Sequence, residues 1–219
     1  MRRRPWWRAL APLVGFALLT GALAAGAFLE LDVVVRDWCD AHRPRAGFLV
    51  AKALYFLGSA NLIAAILLVV AVLLGLRDRT VRPAVAVVGT ALVSYVVVVP
   101  LKVWTDRSAP HAPWYDAVEV FANDAGWSYP SGHVVNTLIW YPVVVLLAER
   151  AVHRPLSTVV RRAVLVVPVV LVFASVTYLG YHWLTDSVAG LLLGLALAQS
   201  LNAVWSTSNS WPRPPRNTR

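Results

Sequence analysis

Three short blocks hold most of the residues in this 219-residue chain that could do chemistry. Consider first Tyr129-Pro130-Ser131-Gly132-His133. Proline and glycine set a tight turn, Gly132 lets the backbone approach a ligand, and the free amides of a starting helix favour an anion such as phosphate. His133 at the edge of that turn can hand a proton to a leaving oxygen, because imidazole titrates near neutral pH. A plain turn before a helix fits the same residues.

The second block is Tyr181-His182-Trp183-Leu184-Thr185-Asp186. Helical geometry puts residues four apart on one face, so His182 and Asp186 come within reach of each other. A carboxylate that takes the proton of one ring nitrogen leaves the other oriented as a nucleophile. Ionisable groups at the edge of a membrane span are costly and usually functional, although an interfacial hydrogen-bonded pair is the simpler alternative. The third block is Lys102, with Arg107 five positions on and Pro110 beyond. Lys102 follows an uninterrupted apolar run, where a snorkelling anchor is common.

The elements that must carry these blocks are legible in composition. The chain is 58% hydrophobic and 14% charged, well above the ~45–50% apolar content of soluble domains. Five stretches are nearly free of charge, at 9–29, 60–76, 83–101, 163–181 and 187–205, each near the ~20 residues a spanning helix needs. A shorter sixth, 133–148, starts within the Ser131 block. The expected fold is therefore all-α: one polytopic membrane domain over residues 1–219, with a core at about 60–205 and six transmembrane helices.

A formal charge of +9 could suggest nucleic acid, since basic proteins gain affinity by displacing phosphate counterions. Its distribution argues for a membrane instead. Fourteen of the twenty basic residues flank the apolar runs on alternate connections, while Arg36, Arg43, Arg45, Lys52, Lys102 and Arg107 share the opposite side with nine of the eleven acids. Cytoplasmic loops carry the Lys and Arg excess. Both termini are thus expected in the cytoplasm, and the connections 30–59, 102–132 and 182–186 outside.

Within 30–59, Asp32, Arg36, Asp37, Asp40, Arg43 and Arg45 mark an aqueous stretch, followed by an amphipathic lead into the second span through Phe48, Leu49, Ala53 and Phe56. Connection 102–132 concentrates Trp104, Trp114, Tyr115, Trp127 and Tyr129 with Pro110, Pro113 and Pro130, which suggests a structured interfacial cap between the third and fourth spans. An aromatic belt accounts better for Trp114 and Trp127. Residues 206–219 read as a flexible basic cytoplasmic tail, with Pro212, Pro214 and Pro215 unable to continue a helix. Ala22-Leu23-Ala24 resembles a signal-peptidase site, but the charge alternation favours a retained first span. Cys39 is the only cysteine, so neither an intramolecular disulfide nor a cysteine metal cluster is available.

In order and spacing, these blocks resemble the type 2 phosphatidic acid phosphatase superfamily of membrane lipid phosphatases, over roughly residues 60–205. The Pro-Ser-Gly-His block stands at Pro130 to His133, and the His-x-x-x-Asp block at His182 to Asp186, preceded by Ser175. Two positions depart from the family. Its first block is usually Lys, six residues, then Arg-Pro, and here Ala109 precedes Pro110. Its third usually begins Ser-Arg, and here Val176 follows Ser175.

The resemblance implies a membrane lipid phosphatase acting on a lipid phosphate or polyprenyl diphosphate at the outer face of the plasma membrane. His182 would form a phosphohistidine, with Asp186 orienting it and His133 acting as acid and then base. Lys102, Arg107, Ser131 and Gly132 would hold phosphate oxygens, with Ser175 and Pro130 supporting. No cofactor, metal or nucleic-acid partner is expected, because cations and amides can supply the charge stabilisation. With Ala109 and Val176 in place of arginines, a phosphotransferase and a non-catalytic lipid-phosphate binder stay open. A transporter fits less well, since the ionisable residues gather at one face.

Overall fold

The computed structural model describes residues 7–112, 118–122 and 126–207, and side chains as far as Leu201. Tyr115, Trp114 and the tail from 208 onward lie outside the described residues, as do 123–125. Among the described residues the regular structure is entirely helical: α1 Trp7–Ala24, α2 Leu29–Ala41, α3 Arg45–Tyr55, a 3-10 turn Phe56–Gly58, α4 Ala60–Asp78, α5 Arg82–Thr105, α6 Gly132–Ala151, α7 Thr158–Tyr178 and α8 Leu184–Thr207.

Helices α4 to α8 are each long and apolar enough to cross a membrane, α8 as far as Leu201. The first expected span, 9–29, is shorter than its apolar run. Helix α1 stops at Ala24, because Gly26 and Phe28 take positive φ values of 83° and 66°, and α2 leaves at 91° to α1. The two together could make a sixth span only as a bent pair.

The expected aqueous stretch after residue 30 keeps Asp37, Asp40 and Arg45 exposed and differs at Asp32. That segment folds into α2 and α3, and α2 turns Asp32 and Cys39 inward while Leu31, Val34 and Trp38 stay exposed. Glu30, Asp37 and Asp40 stay exposed beside these apolar residues, and Asp32 is the one carboxylate of α2 turned into the protein. The amphipathic lead becomes α3, with Phe48, Leu49 and Phe56 exposed.

Helix α6 lies at the centre, touching α4, α5, α7 and α8. Half of its apolar window is buried, against 17% for α4. Helix α8 packs closest to it through Gly190 and Gly194, and a Cβ at Gly190 would stand 2.6 Å from the Ser131 carbonyl oxygen. Small residues four apart allow such backbone approach between membrane helices. The contact brings the start of α8 beside the start of α6, and Ser131 N donates to Asp186 O at 3.0 Å.

Candidate active site

The two histidine blocks meet where α6 and α8 begin. Asp186 occupies the third position of α8, and one of its carboxylate oxygens, Oδ2, accepts the Trp183 amide at 3.0 Å. A side chain there can satisfy an amide left free at the helix start, and the helix dipole favours its negative charge. Oδ2 also accepts from Ser128 Oγ and lies 3.5 Å from His182 Nδ1. Ser128 Oγ is 3.3 Å from the same ring nitrogen. His182 Nδ1 therefore faces the carboxylate and its serine bridge, and Nε2 is the nitrogen left for a substrate. Burial holds the His182 pKa below its ordinary value despite the opposing pull of Asp186, so the ring is neutral at neutral pH. A neutral imidazole is the nucleophilic form.

Arg107 occupies a place that its sequence position does not suggest. The expectation that it grips phosphate meets a different geometry: the residue is fully buried beneath Asp186. Its guanidinium bonds Asp186 Oδ1 at 2.6 Å, Asp32 Oδ2 at 2.6 Å, Thr185 Oγ1 at 2.8 Å and Val118 O at 2.8 Å. Asp32 in turn accepts the Thr185 amide at 2.9 Å and its hydroxyl at 2.5 Å, which satisfies a second amide at the start of α8. Two carboxylates and one guanidinium are thus closed into a buried network that fixes Asp186.

The connection after α5 is held to this network at several points. Ser128 N donates to Arg107 O at 2.9 Å, and Thr105 Oγ1 donates to Tyr129 O at 2.9 Å. Gly126 runs so close that a Cβ there would stand 2.3 Å from Arg107 O. From α1, Thr20 Oγ1 bonds the Tyr129 hydroxyl at 2.7 Å, and Phe16 stacks on its ring. Burial pushes the Tyr129 pKa up to about 12, so this hydroxyl stays protonated and acts as a pin.

Above the network a cavity of about 660 Å³ opens between α4, α5 and α6. His133, His182, Lys102 and Gly132 line its upper part, and Ala64, Ala91, Val98 and Trp140 line it further down. Ala91 lies eleven residues before Lys102 on α5, roughly 16 Å at the helical rise. The two imidazoles stand 6.2 Å apart between ring centroids. Lys102 Nζ donates to Trp127 O at 2.5 Å and Ser128 O at 3.2 Å. The Ser131 hydroxyl is buried without a hydrogen-bond partner, as is Trp140 Nε1.

Other expected positions fall differently. Pro130 is buried in the turn before α6. Ser175 Oγ bonds Val172 O of its own helix at 3.0 Å, apart from the cavity wall. Val176 is fully buried in an apolar cluster with Val134 and Val172, against which Tyr55 packs. Of the residues that build the site, Asp32, Ser128 and Thr185 carried no functional signal in sequence. Only the acid beside Val33-Val34-Val35 hinted at inward burial.

The chain is similar to known proteins in sequence and in fold. Phosphatidylglycerophosphatase B of Bacillus subtilis (strain 168) is 34% identical over 101 residues, 44% of this chain and 45% of that protein. The match thus spans under half the length of that curated relative. A crystal structure described as the first transmembrane PAP2 type phosphatidylglycerolphosphate phosphatase from Bacillus subtilis shares the fold, with a TM-score of 0.76 at 21% identity, over 94% of this chain and 99% of that one. The model of the PAP2 superfamily matches residues 83–210, more than half of the 219. That match takes in Lys102 and both histidine blocks, and the chain belongs to the PAP2 superfamily.

Proposed function

We propose that the protein is a membrane phosphatase that hydrolyses a lipid phosphate by way of a phosphohistidine. One observation carries the reading: His182 and His133 face each other across the mouth of a cavity, with His182 Nδ1 held from behind by Ser128 and Asp186. In the first step His182 Nε2 forms a bond to phosphorus while the bond from phosphorus to the lipid oxygen breaks. The leaving oxygen takes its electron pair and, from the protonated form of His133, a proton. Water then attacks the phosphohistidine, His133 accepts its proton, and the nitrogen–phosphorus bond breaks to release inorganic phosphate and neutral His182.

Lys102, the Ser131 hydroxyl and the Gly132 amide are the groups assigned to the phosphate oxygens, and cationic and amide donors of this kind stabilise charge without a metal. Arg107 acts through Asp186, which it positions. The downward course of the cavity along α5 suits a lipid tail, and the relative's name makes a glycerol-based lipid phosphate the first substrate to try, with a polyprenyl diphosphate second. The charge asymmetry, fourteen basic residues against six, supports a site outside the membrane and termini in the cytoplasm.

The deciding experiment measures phosphate release by purified protein from a panel of lipid phosphates, with His182→Ala as control. Release that is abolished in the variant, survives chelators and is inhibited by vanadate is expected. A strict requirement for added magnesium would overturn the metal-free mechanism. Ala109 and Val176 favour a second reading, a lipid-phosphate binder without turnover. It predicts no release from any lipid, together with binding that depends on Lys102.

A further inference from the structure

A phosphate group carries more negative charge than one lysine balances, and Arg107 is spent on Asp32 and Asp186. A second cation within reach of the cavity would answer that need, and α3 brings one behind Tyr55, a residue of the cavity wall. The ring of His133 lies 4.1 Å from that of Tyr55, and Lys52 Nζ sits 5.1 Å from the Tyr55 ring centroid. Lys52 Nζ also lies 4.7 Å from the Tyr181 ring and donates to the Tyr181 hydroxyl at 2.7 Å. Tyr181 precedes His182, and His182 returns to His133 at 6.2 Å. Tyr55 also meets the Tyr181 ring at 5.3 Å, so Lys52 sits behind Tyr55, which lines the cavity together with His133 and His182.

Lys52 is also held without a carboxylate. Arg36, Arg43, Arg77, Arg107, Arg150 and Arg161 are each ion-paired with a carboxylate. The two lysines of the chain, Lys52 and Lys102, have no carboxylate partner among the described residues; their bonds go to a hydroxyl and two backbone carbonyls. A cation resting on aromatic faces and one hydroxyl is held more weakly than one in a buried ion pair. Its four-carbon stem can swing towards a stronger partner.

We propose that Lys52 is a second phosphate-binding residue, resting on Tyr55 and Tyr181 in the empty site and turning to the phosphate oxygens when a lipid phosphate enters. The inference rests on the reading of the cavity as a phosphate site. It assigns a role to α3, which lies outside the matched family region. Tyr55 serves as its platform, packed against the cluster that contains Val176. Tyr181→Phe removes the resting hydroxyl but keeps the charge, so it leaves phosphate affinity equal or higher.

The test compares wild type, Lys52→Met, Lys52→Arg and Tyr181→Phe for lipid-phosphate turnover, vanadate affinity and thermal stability. Lys52→Met is expected to raise KM and weaken vanadate binding about tenfold or more, with kcat within a few-fold, and Lys52→Arg to restore most of the loss. As a measurement that does not depend on a variant folding well, the two lysines of wild type are labelled by reductive 13C-methylation, which keeps their charge. Vanadate should shift both signals. Wild-type vanadate affinity in a stable Lys52→Met, or a vanadate response from Lys102 alone, overturns the proposal while the phosphatase reading stands. Absence of both turnover and vanadate binding in wild type overturns the two together.

Discussion

Two groups of charges lie close together around His182 and are built in opposite ways. Beneath it, Asp32, Arg107, Asp186 and Thr185 form a buried network in which the guanidinium faces two carboxylates at 2.6 Å. On the other side, Lys102 in the cavity wall and Lys52 behind Tyr55 hold only carbonyls, a hydroxyl and ring faces, and the buried Ser131 hydroxyl next to Gly132 has no hydrogen-bond partner. Closed pairing fixes geometry, because a buried charge cannot move without losing its partner. Weak or absent pairing leaves binding capacity for a ligand. The difference separates residues that position the nucleophile from those that receive the phosphate, and each prediction below bears on that division.

The largest effect should come from the closed side. Arg107→Ala leaves Asp32 and Asp186 as uncompensated buried carboxylates, and breaking a buried pair costs about 3–5 kcal/mol. A large fall in the melting temperature in detergent, with loss of activity, is expected. A stable Arg107→Ala with only weakened vanadate binding would return Arg107 to the phosphate-binding group. On the open side, Lys102→Met should cost about 1.5–3 kcal/mol of phosphate affinity, roughly ten- to hundredfold, while the melting temperature changes little. Vanadate titration and a thermal melt of the same sample decide it.

How much of this was legible in sequence depends on the distance between partners. Spans α4 to α8 were, because apolar runs of near-membrane length report themselves. Both histidine blocks were, because their residues lie next to one another in the chain. The buried pairing of Arg107 is not legible, because its partner Asp32 comes 75 residues earlier, in a segment whose many charges look aqueous. Helix α2 also follows a bend at Gly26 and Phe28 that the Ala-rich run does not announce. Val176 shows the same limit: its position suggests a lost phosphate contact, but the side chain lies in an apolar cluster. An arginine introduced there would bury an unpaired charge.

The pH profile gives a smaller and signed effect. Burial lowers the His182 pKa, Lys102 lowers it further and Asp186 raises it. Activity should therefore persist below the ordinary imidazole value of 6.5 and fall only when acid protonates Nε2. Lys102→Met removes a lowering influence, so its acid limb should move to higher pH. Asp186→Asn removes a raising one, so its residual activity should show the limb at lower pH. Limbs moving in the same direction would mean that they report a group other than His182.

The smallest effect is expected at Ser131, where stability and binding should move in opposite directions. Its hydroxyl is fully buried and has no hydrogen-bond partner, and an unsatisfied buried polar group costs about 1–3 kcal/mol. Ser131→Ala removes that penalty in the empty protein, so the melting temperature should stay the same or rise. The same change deletes a donor assigned to a phosphate oxygen, a contact worth about 0.5–1.5 kcal/mol, or a few-fold to roughly tenfold in vanadate affinity. A hydroxyl with a purely structural role predicts the reverse, a lower melting temperature with unchanged affinity. Because Ser131 is the first residue before α6 and its amide is held by Asp186 O, the backbone should keep its place in the variant. The two measurements then read the side chain alone.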